Sequence, residues 1–310
     1  MPPDTPNPQG DLSTPDVPRR RALLIVNTKA RQGQCALDDL KAECERAGIS
    51  LLHVEGRRRD DLAGIIRAHA ADVDMVIIGG GDGTLNAAAA GLADTGLPLA
   101  ILPLGTANDL ARTLGIPPDL KEAVRVAITG SVRRIDLGEV NGVPFFNVAS
   151  IGLSVELARE LTREMKRRWG ILGYAVAAIR VLKRMAPFHA EIRIGGEVHH
   201  VKSVQLGVGN GRHYGGGMTV EENAALDDGQ LDVYSIDIRG WWEWPLLYPA
   251  FRRGRHGAWK NVHTWYCQEV EIVTRHRRSV NTDGEITTRT PARFHVRPAA
   301  VAVVCPPPAT

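Results

Sequence analysis

Short apolar runs alternate with amphipathic stretches over the first part of the chain. The apolar runs predict four strands, which are Ala22–Val26, Ser50–Val54, Met75–Ile78 and Leu97–Leu102, and we expect the first and third to be buried. The stretches between and after them predict four helices, which are Leu37–Ala47, Asp60–Ala70, Leu85–Leu92 and Leu120–Thr129. Because strands alternate with helices, we predict the α/β fold class, with an N-terminal doubly wound α/β nucleotide-binding domain whose parallel sheet carries helices on both faces.

The pattern changes beyond residue 138, where strand-like segments follow one another with glycine or asparagine turns between them. These segments are Val140–Ser150, Ala190–Ile194, Val198–Val208 and Leu231–Ile238. Consecutive strands of this kind predict a C-terminal, mainly antiparallel domain that is β-sandwich-like. A last apolar run, Ala300–Val304, predicts a buried strand ahead of a proline-rich terminus.

Two stretches of the second half combine apolar and basic residues. In residues 157–182 the apolar positions follow steps of three and four, with arginine and lysine on the other faces. This stretch is either a core helix with a solvated basic side or a helix that faces lipid. Residues 241–255 carry tryptophan, tyrosine and arginine, which suit a membrane interface or an interdomain contact. No apolar run reaches 18 residues, so we expect any contact with lipid to be peripheral.

Composition restricts the class of protein further. The length of 310 residues suggests two domains, and 44% apolar with 24% charged residues is ordinary for a globular protein. The net charge of +3 does not indicate nucleic acid as a partner.

Residues 1–19 hold many Pro, Asp, Ser and Thr, which predicts a disordered tail rather than a signal peptide. Four cysteines without C-x-x-C spacing suggest reduced thiols in a cytoplasmic protein.

The sequence GGGDGT, residues 79–84, directly follows the third predicted strand and precedes a helix. This order points backbone N–H groups and the positive end of a helix at one spot, where phosphate binds well. The residues of this turn that we expect at a nucleotide are Gly80, Gly81, Asp82, Gly83 and Thr84. A carboxylate at Asp82 would repel phosphate, so nucleotide-bound magnesium is its natural partner. The alternative is a glycine-rich turn that only closes a strand.

A second strand–turn–helix start follows at residues 103–112, with the sequence PLGTANDLAR. Thr106 and Asn108 offer short polar side chains there. Because the carboxyl ends of neighbouring parallel strands meet at one edge of a sheet, we expect the two starts to form one crevice.

GGGDGT and GTANDLAR together resemble the two signatures of the diacylglycerol kinase catalytic-domain family, which includes sphingosine, ceramide and bacterial lipid kinases. More distant relatives of that family are NAD kinases and phosphofructokinases. The resemblance implies ATP as co-substrate with Mg²⁺, and it implies that Asn27, after the first strand, faces the nucleotide. It also implies a returning C-terminus, with an ATP-binding domain of residues 20–138 plus 291–310 and a lipid-substrate domain of residues 139–290.

The resemblance assigns a role to the acidic turn NTDGE, residues 281–285. By itself this segment reads as a solvent-exposed hairpin turn. The family carries a D-G-E motif near its C-terminal end, and the match makes Glu285 the general base and Asp283 its acidic neighbour.

A second acidic turn, ALDDGQL at residues 225–231, resembles a segment that binds magnesium in bacterial members of the family. The ligands implied are the carboxylate of Asp228 and the carbonyls of Ala225 and Gln230. Oxygen ligands from a tight turn suit a hard cation.

Two segments depart from the family's pattern. Asn86 is followed by alanine, where the family often has glutamate. Arg57–Arg59 replace a turn that often carries threonine and glycine, and these arginines either contact nucleotide phosphates or are solvated.

The function that the resemblance implies is an ATP-dependent lipid kinase, with diacylglycerol as the default acceptor and sphingoid bases, ceramide and phosphatidylglycerol as open alternatives. Its partners would be ATP and a lipid at a membrane surface, with a homodimer left open. Two other hypotheses remain at this point. They are a soluble kinase of NAD or of a sugar phosphate, and a nucleotide-binding sensor without turnover.

Overall fold

The computed structural model describes residues 20–26, 33–55, 62–160, 181, 184, 186–210, 213–214, 218–219, 225–238 and 261–307. The N-terminal elements are β1 (Arg21–Val26), α1 (Gly33–Arg46), β2 (Ser50–Glu55), α2 (Leu62–Ala68), β3 (Met75–Gly80), α3 (Asp82–Thr95), β4 (Leu99–Pro103), α4 (Asp109–Thr113), α5 (Leu120–Thr129) and β5 (Ser131–Val140). The remaining elements are β6 (Val143–Phe145), β7 (Val148–Gly152), α6 (Leu153–Glu160), β8 (Phe188–Ile194), β9 (Glu197–Ser203), β10 (Gln205–Gly209), β11 (His213–Tyr214), β12 (Met218–Thr219), β13 (Leu231–Ile236), β14 (Val262–Cys267), β15 (Glu269–Thr274), β16 (Ser279–Thr282), β17 (Glu285–Arg289) and β18 (Ala292–Cys305).

Four parallel strands form the N-terminal part of the first sheet, in the order β2-β1-β3-β4. Strands β1, β3 and β4 are buried almost throughout, as expected when helices cover both sides of a parallel sheet, whereas the edge strand β2 is partly exposed, with Leu52 at 39%. Helix α1 packs against α5, and α2 packs against α3. The chain reverses its direction across the sheet between β1 and β3, where α/β folds bind their ligands. The predicted doubly wound α/β domain is confirmed.

The C-terminal half is built from antiparallel strands. Six of them form one sheet, in the order β14-β13-β10-β7-β16-β17. A second layer continues the first sheet through β18, β15, β8 and β9. Apolar side chains from both layers form one core, which includes Phe145, Ile151, Val233 and Phe294. The predicted antiparallel second domain is confirmed.

Strand β18 joins the two halves, because it pairs along its length with strands of both. Residues near Ala292 pair with β15, and Val303 pairs in parallel with Leu99 of β4. Strand β5 runs antiparallel beside both parts, with a shift in register between Arg297 and Val301. The prediction of a short final strand, Ala300–Val304, was therefore too short, since the pairing begins at Ala292.

Three other element predictions need correction. Helix α3 begins at Asp82 rather than Leu85, with Gly81 as its N-cap, so the glycine turn already contains the first helical turn. The predicted strand Val198–Val208 is two strands, because the chain crosses between sheets at Val204. The segment Val140–Ser150 is likewise divided, and the turn residue Asn141 has a positive φ of 49°. Neither β14 nor β15 was predicted.

Asp136 holds the bend in β18 against a turn of the C-terminal half. Its side chain is 3% exposed, and it accepts hydrogen bonds from the N–H groups of Ala299 and Gly229, both at 2.7 Å. Ala299 has a positive φ of 50° at the shift in register. The backbone N–H of Asp136 donates to the carbonyl of Leu226 at 2.6 Å. One buried carboxylate thus ties together β5, the bend of β18 and the turn at residues 225–230.

We predict that Asp136→Ala lowers the free energy of unfolding by about 2–4 kcal/mol, because the N–H groups of Gly229 and Ala299 lose a carboxylate acceptor that is itself buried. Urea unfolding followed by circular dichroism measures this loss. The matched control is Asp94→Ala, which removes an exposed carboxylate paired with Arg67 at 2.7 Å and should cost less than about 1 kcal/mol. Equal losses in the two variants would contradict the role of Asp136.

Candidate functional site

The glycine turn after β3 is shaped by contacts that leave no room for side chains. A Cβ atom on Gly80 would lie 2.7 Å from the Cβ atom of Thr84, which is itself buried. Gly81 is the N-cap of α3 in an extended conformation, with φ −105°. The N–H groups of the first turn of α3 therefore lie directly at the end of β3, where an anion is favoured.

The second turn, between β4 and α4, is organised by Asn108. Its Oδ1 atom accepts from the N–H of Gly105 at 2.9 Å, and its Nδ2 atom donates to the carbonyls of Gly105 at 3.0 Å and Pro103 at 3.3 Å. Asn108 also adopts a left-handed conformation with φ 49°, which asparagine tolerates better than most residues. In this structure the amide of Asn108 shapes the turn, while Thr106 is exposed beside it.

The two turns touch each other. A Cβ atom on Gly105 would collide with the Cα atom of Gly81, so glycine is required for the close approach. The N–H of Leu104 donates to the carbonyl of Gly80 at 3.1 Å. The Asp82 carboxylate accepts from the N–H of Leu110 in α4 at 3.1 Å. As the sequence predicted, the two helix starts form one crevice, and a hydrogen bond to α4 fixes Asp82 at its edge.

The hairpin turn between β16 and β17 carries the D-G-E sequence. Asp283 and Gly284 have positive φ values of 47° and 94°, which is the pattern of a two-residue type I′ turn. The N–H of Gly284 donates to Oδ1 of Asn281 at 2.8 Å, which closes the turn. The sequence therefore predicted the hairpin correctly, and Glu285 is the first residue of β17.

The Asp283 carboxylate points back into the protein rather than into solvent. It accepts three backbone hydrogen bonds, from Phe146 at 2.7 Å and from Asn147 and Val148 at 3.0 Å each. The N–H of Asp283 in turn donates to the carbonyl of Val148 at 3.0 Å. These bonds fix the hairpin turn to the start of β7.

Burial raises the pKa of Asp283 to about 6, although its three backbone hydrogen bonds oppose the shift. The negative charge of Asp82 raises this pKa further. Asp82 therefore lies near enough to Asp283 for its charge to act on that carboxyl, in agreement with the packing of α3 against β6, which ends one residue before Phe146. Glu285, two residues later, is exposed in this structure.

Two buried asparagines near Asp283 were not predicted. Within the described part of the chain, the Oδ1 atoms of Asn147 and Asn210 have no hydrogen-bond partner. The Nδ2 atom of Asn210 donates to the carbonyls of Phe146 and Asp136. Such unpartnered buried oxygens are rare, and they are found where a ligand or an ordered water completes a site. The signal in the sequence was an asparagine next to an apolar strand, in FFNVAS and GVGN.

The acidic turn at residues 225–230 brings several carboxylates together. Asp228 accepts from the N–H of Gln230 at 3.0 Å, while Asp227 pairs with Arg133 at 2.7 Å. Burial raises the pKa of Asp228, and the charges of Asp136 and Asp227 act in the same direction. This cluster of oxygen donors is compatible with Mg²⁺, because a cation would relieve the repulsion among the carboxylates. Among the residues described, no group of three or more His, Cys, Asp or Glu side chains forms a metal site of its own.

Some predicted site residues lie outside the described residues. They are Asn27, Arg57–Arg59, residues 241–255 and most of residues 157–182. The strand before Asn27 ends at Val26, which pairs with Gly79 at the glycine turn. In the described segments no helix is long and apolar enough to cross a membrane.

Comparison with known proteins gives the same picture for both halves. Residues 21–140 match the family model "Diacylglycerol kinase catalytic domain". Residues 147–305 match "YegS C-terminal NAD kinase beta sandwich-like domain". The chain is 33% identical to the "Probable lipid kinase YegS-like" of Klebsiella pneumoniae (strain 342), over 92% of this chain and 96% of that protein.

A relative from Escherichia coli O127:H6, "Probable lipid kinase YegS", is 30% identical over 92% of this chain and 96% of its own length. Among solved structures, one of the diacylglycerol kinases from Bacillus anthracis str. Sterne superposes with a TM-score of 0.73 and 26% identity. That superposition covers 94% of this chain and 98% of the other. The likeness therefore extends over both halves rather than over a single motif.

We predict that the side chain of Asp283 titrates near pH 6 and that Asp82→Asn lowers this midpoint, because a repelling charge is removed. Carbon-13 NMR of the Asp283 carboxyl measures both. Asp94→Asn removes an exposed charge elsewhere and should leave the midpoint unchanged. A midpoint at the ordinary value of about 4 would disprove the burial of this carboxylate.

The raised pKa of Asp283 also makes the free energy of unfolding depend on pH. Since the neutral acid is favoured in the folded state, the contribution of Asp283 to the unfolding free energy should fall as the pH rises from about 4 to about 6. Asp283→Asn should remove this part of the pH dependence.

Proposed function

Because the chain belongs to the diacylglycerol kinase catalytic-domain family, we propose that it transfers the γ-phosphate of ATP to a lipid hydroxyl. Diacylglycerol, which would give phosphatidic acid, is the acceptor to test first. We further propose residues 20–138 with 291–310 as the ATP-binding domain and residues 139–290 as the lipid-substrate domain. The observation that carries the proposal is the nearness of the two turns: α3, which begins at Asp82, packs against β6, and Phe146 directly after β6 donates to Asp283, whose pKa the charge of Asp82 raises.

The N-terminal side of the cleft would hold the nucleotide. The first-turn N–H groups of α3 at Asp82 and Gly83 lie at the end of β3, where Gly80 and Gly81 keep the space free of side chains. The N–H of Thr84 donates to the carbonyl of Gly81 at 2.8 Å, so we propose that Thr84 contributes through its side chain. We propose that Asn27 and Thr106 complete the nucleotide contacts and that Asn108 contributes mainly by shaping the second turn. Mg²⁺ bound with the nucleotide would neutralise phosphate charge, and the half-buried Asp82 would hold it.

The C-terminal side of the cleft would hold the reacting hydroxyl. We propose that Glu285 accepts the proton of the lipid hydroxyl as its oxygen attacks the γ-phosphorus, and that ADP leaves with the bond electrons. Asp283 would act as a positioning residue, since its carboxylate fixes the hairpin turn to three backbone N–H groups. The exposure of Glu285 in the chain alone is consistent with a site that a lipid covers when it binds.

We propose a second Mg²⁺ site in the turn at residues 225–230, with the carboxylate of Asp228 and the carbonyls of Ala225 and Gln230 as ligands. The donors are hard oxygens, and the repulsion from Asp136 and Asp227 supports a cation there. The same turn is bonded to Asp136, which holds the bend of β18. A cation at Asp228 would therefore support the joint between the two halves rather than take part in phosphoryl transfer.

A lipid acceptor requires contact with a membrane surface, which we propose to be peripheral. The direct test of the proposal is incubation with labelled ATP and a panel of lipids in mixed micelles. The panel contains diacylglycerol, sphingosine, ceramide and phosphatidylglycerol, with NAD and a sugar phosphate as soluble alternatives. Label transferred to diacylglycerol supports the proposal. Label transferred only to NAD or to the sugar phosphate would overturn it.

We predict that Glu285→Gln lowers kcat by about 10²–10⁴-fold while the Kd for ATP stays nearly unchanged, because glutamine keeps the shape but accepts no proton. Steady-state kinetics in mixed micelles and equilibrium binding of ATP measure the two effects. The control is Glu269→Gln, an exposed glutamate at the start of β15. Retention of most of the turnover in Glu285→Gln would remove Glu285 from the mechanism.

We predict that Asp228→Ala lowers Tm and abolishes the rise in Tm that millimolar Mg²⁺ gives the wild-type protein. The physical reason is that a ligand-bound folded state is stabilised by mass action, and this variant loses a ligand. Differential scanning calorimetry with and without Mg²⁺ measures the effect. Asp119→Ala, an N-cap variant, should lower Tm but keep the Mg²⁺ response. Lost activity in Asp228→Ala with an unchanged Mg²⁺ response would contradict a structural role.

A further inference from the structure

A second polar cavity lies beside α6, at the end of β7 that is remote from the catalytic cleft. Its volume is about 330 Å³. Its apolar floor consists of Val181, Phe188 and Val204, all of them buried, and its rim carries Arg159, Arg184 and Arg278. We call this cavity the arginine pocket.

The arginine pocket holds more positive charge than its own carboxylates neutralise. Glu156 and Glu160 also line it, and Glu156 pairs with Arg159 at 2.8 Å. The Nη2 atom of Arg159 donates to Oγ of Ser279 at 2.7 Å. In the segments that the structure describes, neither Arg184 nor Arg278 has a hydrogen bond or an ion pair from its guanidinium. The guanidinium groups of Arg184 and Arg278 can therefore both donate to one anion, and the three arginines exceed the two glutamates of the lining by one positive charge.

Arg278 is the most constrained of these cations. Its guanidinium carbon lies 4.1 Å from the centre of the Phe188 ring, a cation–π contact. Its backbone is fixed through Thr290, whose Oγ1 atom accepts from the N–H of Arg278 at 2.9 Å. Burial lowers the pKa of Arg278, and Glu156 opposes the shift only in part. A half-buried cation with five donors, held over an apolar floor, gains most from an anion that enters the pocket.

The floor of the arginine pocket depends on Gly152, which ends β7 with a φ of 109°. A Cβ atom there would collide with the carbonyl oxygen of Val204 and lie 3.0 Å from a ring carbon of Phe188. Because Gly152 has no Cβ atom, Phe188 and Val204 pack directly against its backbone. The volume of the pocket above these apolar side chains stays open. A pocket with an apolar floor and a guanidinium rim fits a molecule that has an anionic end and a hydrocarbon part.

We propose that the arginine pocket binds a phosphate monoester whose carbon chain lies on the apolar floor. A phosphate monoester carries up to two charges and three acceptor oxygens, which matches several guanidinium groups better than a single carboxylate does. The phosphate of phosphatidic acid and that of a soluble phosphate monoester both have this chemistry. The apolar floor formed by Val181, Phe188 and Val204 favours the ligand that carries acyl chains.

The arginine pocket is separate from the catalytic cleft. Strand β7 begins at Val148, which bonds to Asp283, and it ends four residues later at Gly152 in the pocket, a distance of about 14 Å at about 3.4 Å per residue. Strand β16 spans the same interval, from Ser279 at the pocket to Thr282 beside Asp283. The pocket therefore does not depend on the proposed reaction, and its occupancy can be measured without ATP.

The test is isothermal titration of the full chain with dihexanoyl phosphatidic acid below its micellar concentration, with glycerol 3-phosphate and with dihexanoylglycerol. Arg278→Gln removes a rim charge, and Ala186→Phe fills the pocket from an exposed position on its wall. The matched control is Arg277→Gln, which removes the same charge from an exposed neighbour outside the pocket. Circular dichroism and Tm verify the fold of each variant.

We expect Arg278→Gln and Ala186→Phe to weaken the binding of dihexanoyl phosphatidic acid by at least about tenfold, with Arg277→Gln within about twofold of wild type. Glycerol 3-phosphate should bind more weakly than phosphatidic acid, with the same dependence on Arg278. Binding of dihexanoylglycerol should not respond to Arg278→Gln, since it has no phosphate.

Two results would overturn the proposal. Unchanged affinity for phosphatidic acid in both Arg278→Gln and Ala186→Phe would mean that the lipid binds elsewhere, for example in the catalytic cleft. Equal affinities for glycerol 3-phosphate and phosphatidic acid would assign the pocket to soluble phosphate esters and remove the role of the apolar floor. Neither result depends on whether the chain phosphorylates a lipid, so failure here is distinguishable from failure of the proposed reaction.

Discussion

The bend of β18 at Ala299, held by the buried carboxylate of Asp136, is the constraint on which the rest of the structure depends. One strand belongs to both halves, so the position of the bend sets how the antiparallel layers meet the parallel sheet. The backbone turns there with a positive φ, and Asp136 satisfies the N–H group that the bend exposes. Because Asp136 also binds Gly229, the acidic turn at residues 225–230 is fixed at the same joint. Asn210 donates to the carbonyls of Asp136 and Phe146, so this joint lies beside the residues that bind Asp283.

The cleft contains backbone N–H donors, which favour an anion, and carboxylates, which favour a cation. On one side, the two glycine turns pack so closely that the backbones of Gly81 and Gly105 are in contact. Backbone N–H donors are therefore concentrated at the ends of β3 and β4. On the other side, the three backbone N–H groups of residues 146–148 donate hydrogen bonds to the carboxylate of Asp283. The charge of Asp82 acts on Asp283, and the repulsion between the two carboxylates falls when a cation accompanies the substrate. Phosphoryl transfer with a magnesium nucleotide meets this requirement.

Much of the fold was predictable because local patterns agree with tertiary packing. The apolar runs of the parallel strands were located to within a few residues, and α5 matches its predicted bounds, with Asp119 as its N-cap. The start of α3 was missed because glycine and aspartate suggest a turn, whereas here Gly81 is the cap and Asp82 is already helical. The length of β18 was missed because Arg297 and Pro298 interrupt its apolar pattern. Pairing with β5 extends the strand across that interruption.

The individual turns of the site could be predicted from the sequence, but their positions relative to one another could not. Each signature turn could be read from the sequence, and the family resemblance supplied roles for Glu285 and Asp228. The approach of Asp82 to Asp283 depends on how β18 joins the halves, for which the sequence carries no local signal. The different surroundings of the two acids could not be predicted either, because the hairpin turn directs Asp283 inward and Glu285 outward. Asn147 and Asn210 were missed because their oxygens matter only once the strands are packed.

The central claim, that one cleft unites the glycine turn with the hairpin turn for phosphoryl transfer, is tested most directly by a double-mutant cycle. The measured quantity is kcat for transfer from ATP to diacylglycerol in wild type, Asp82→Asn, Glu285→Gln and the double variant. If both residues act in one transition state, the double variant should be within about threefold of the slower single variant. Multiplication of the two separate effects, or a wild-type chain that transfers no phosphate to any lipid, would contradict the account.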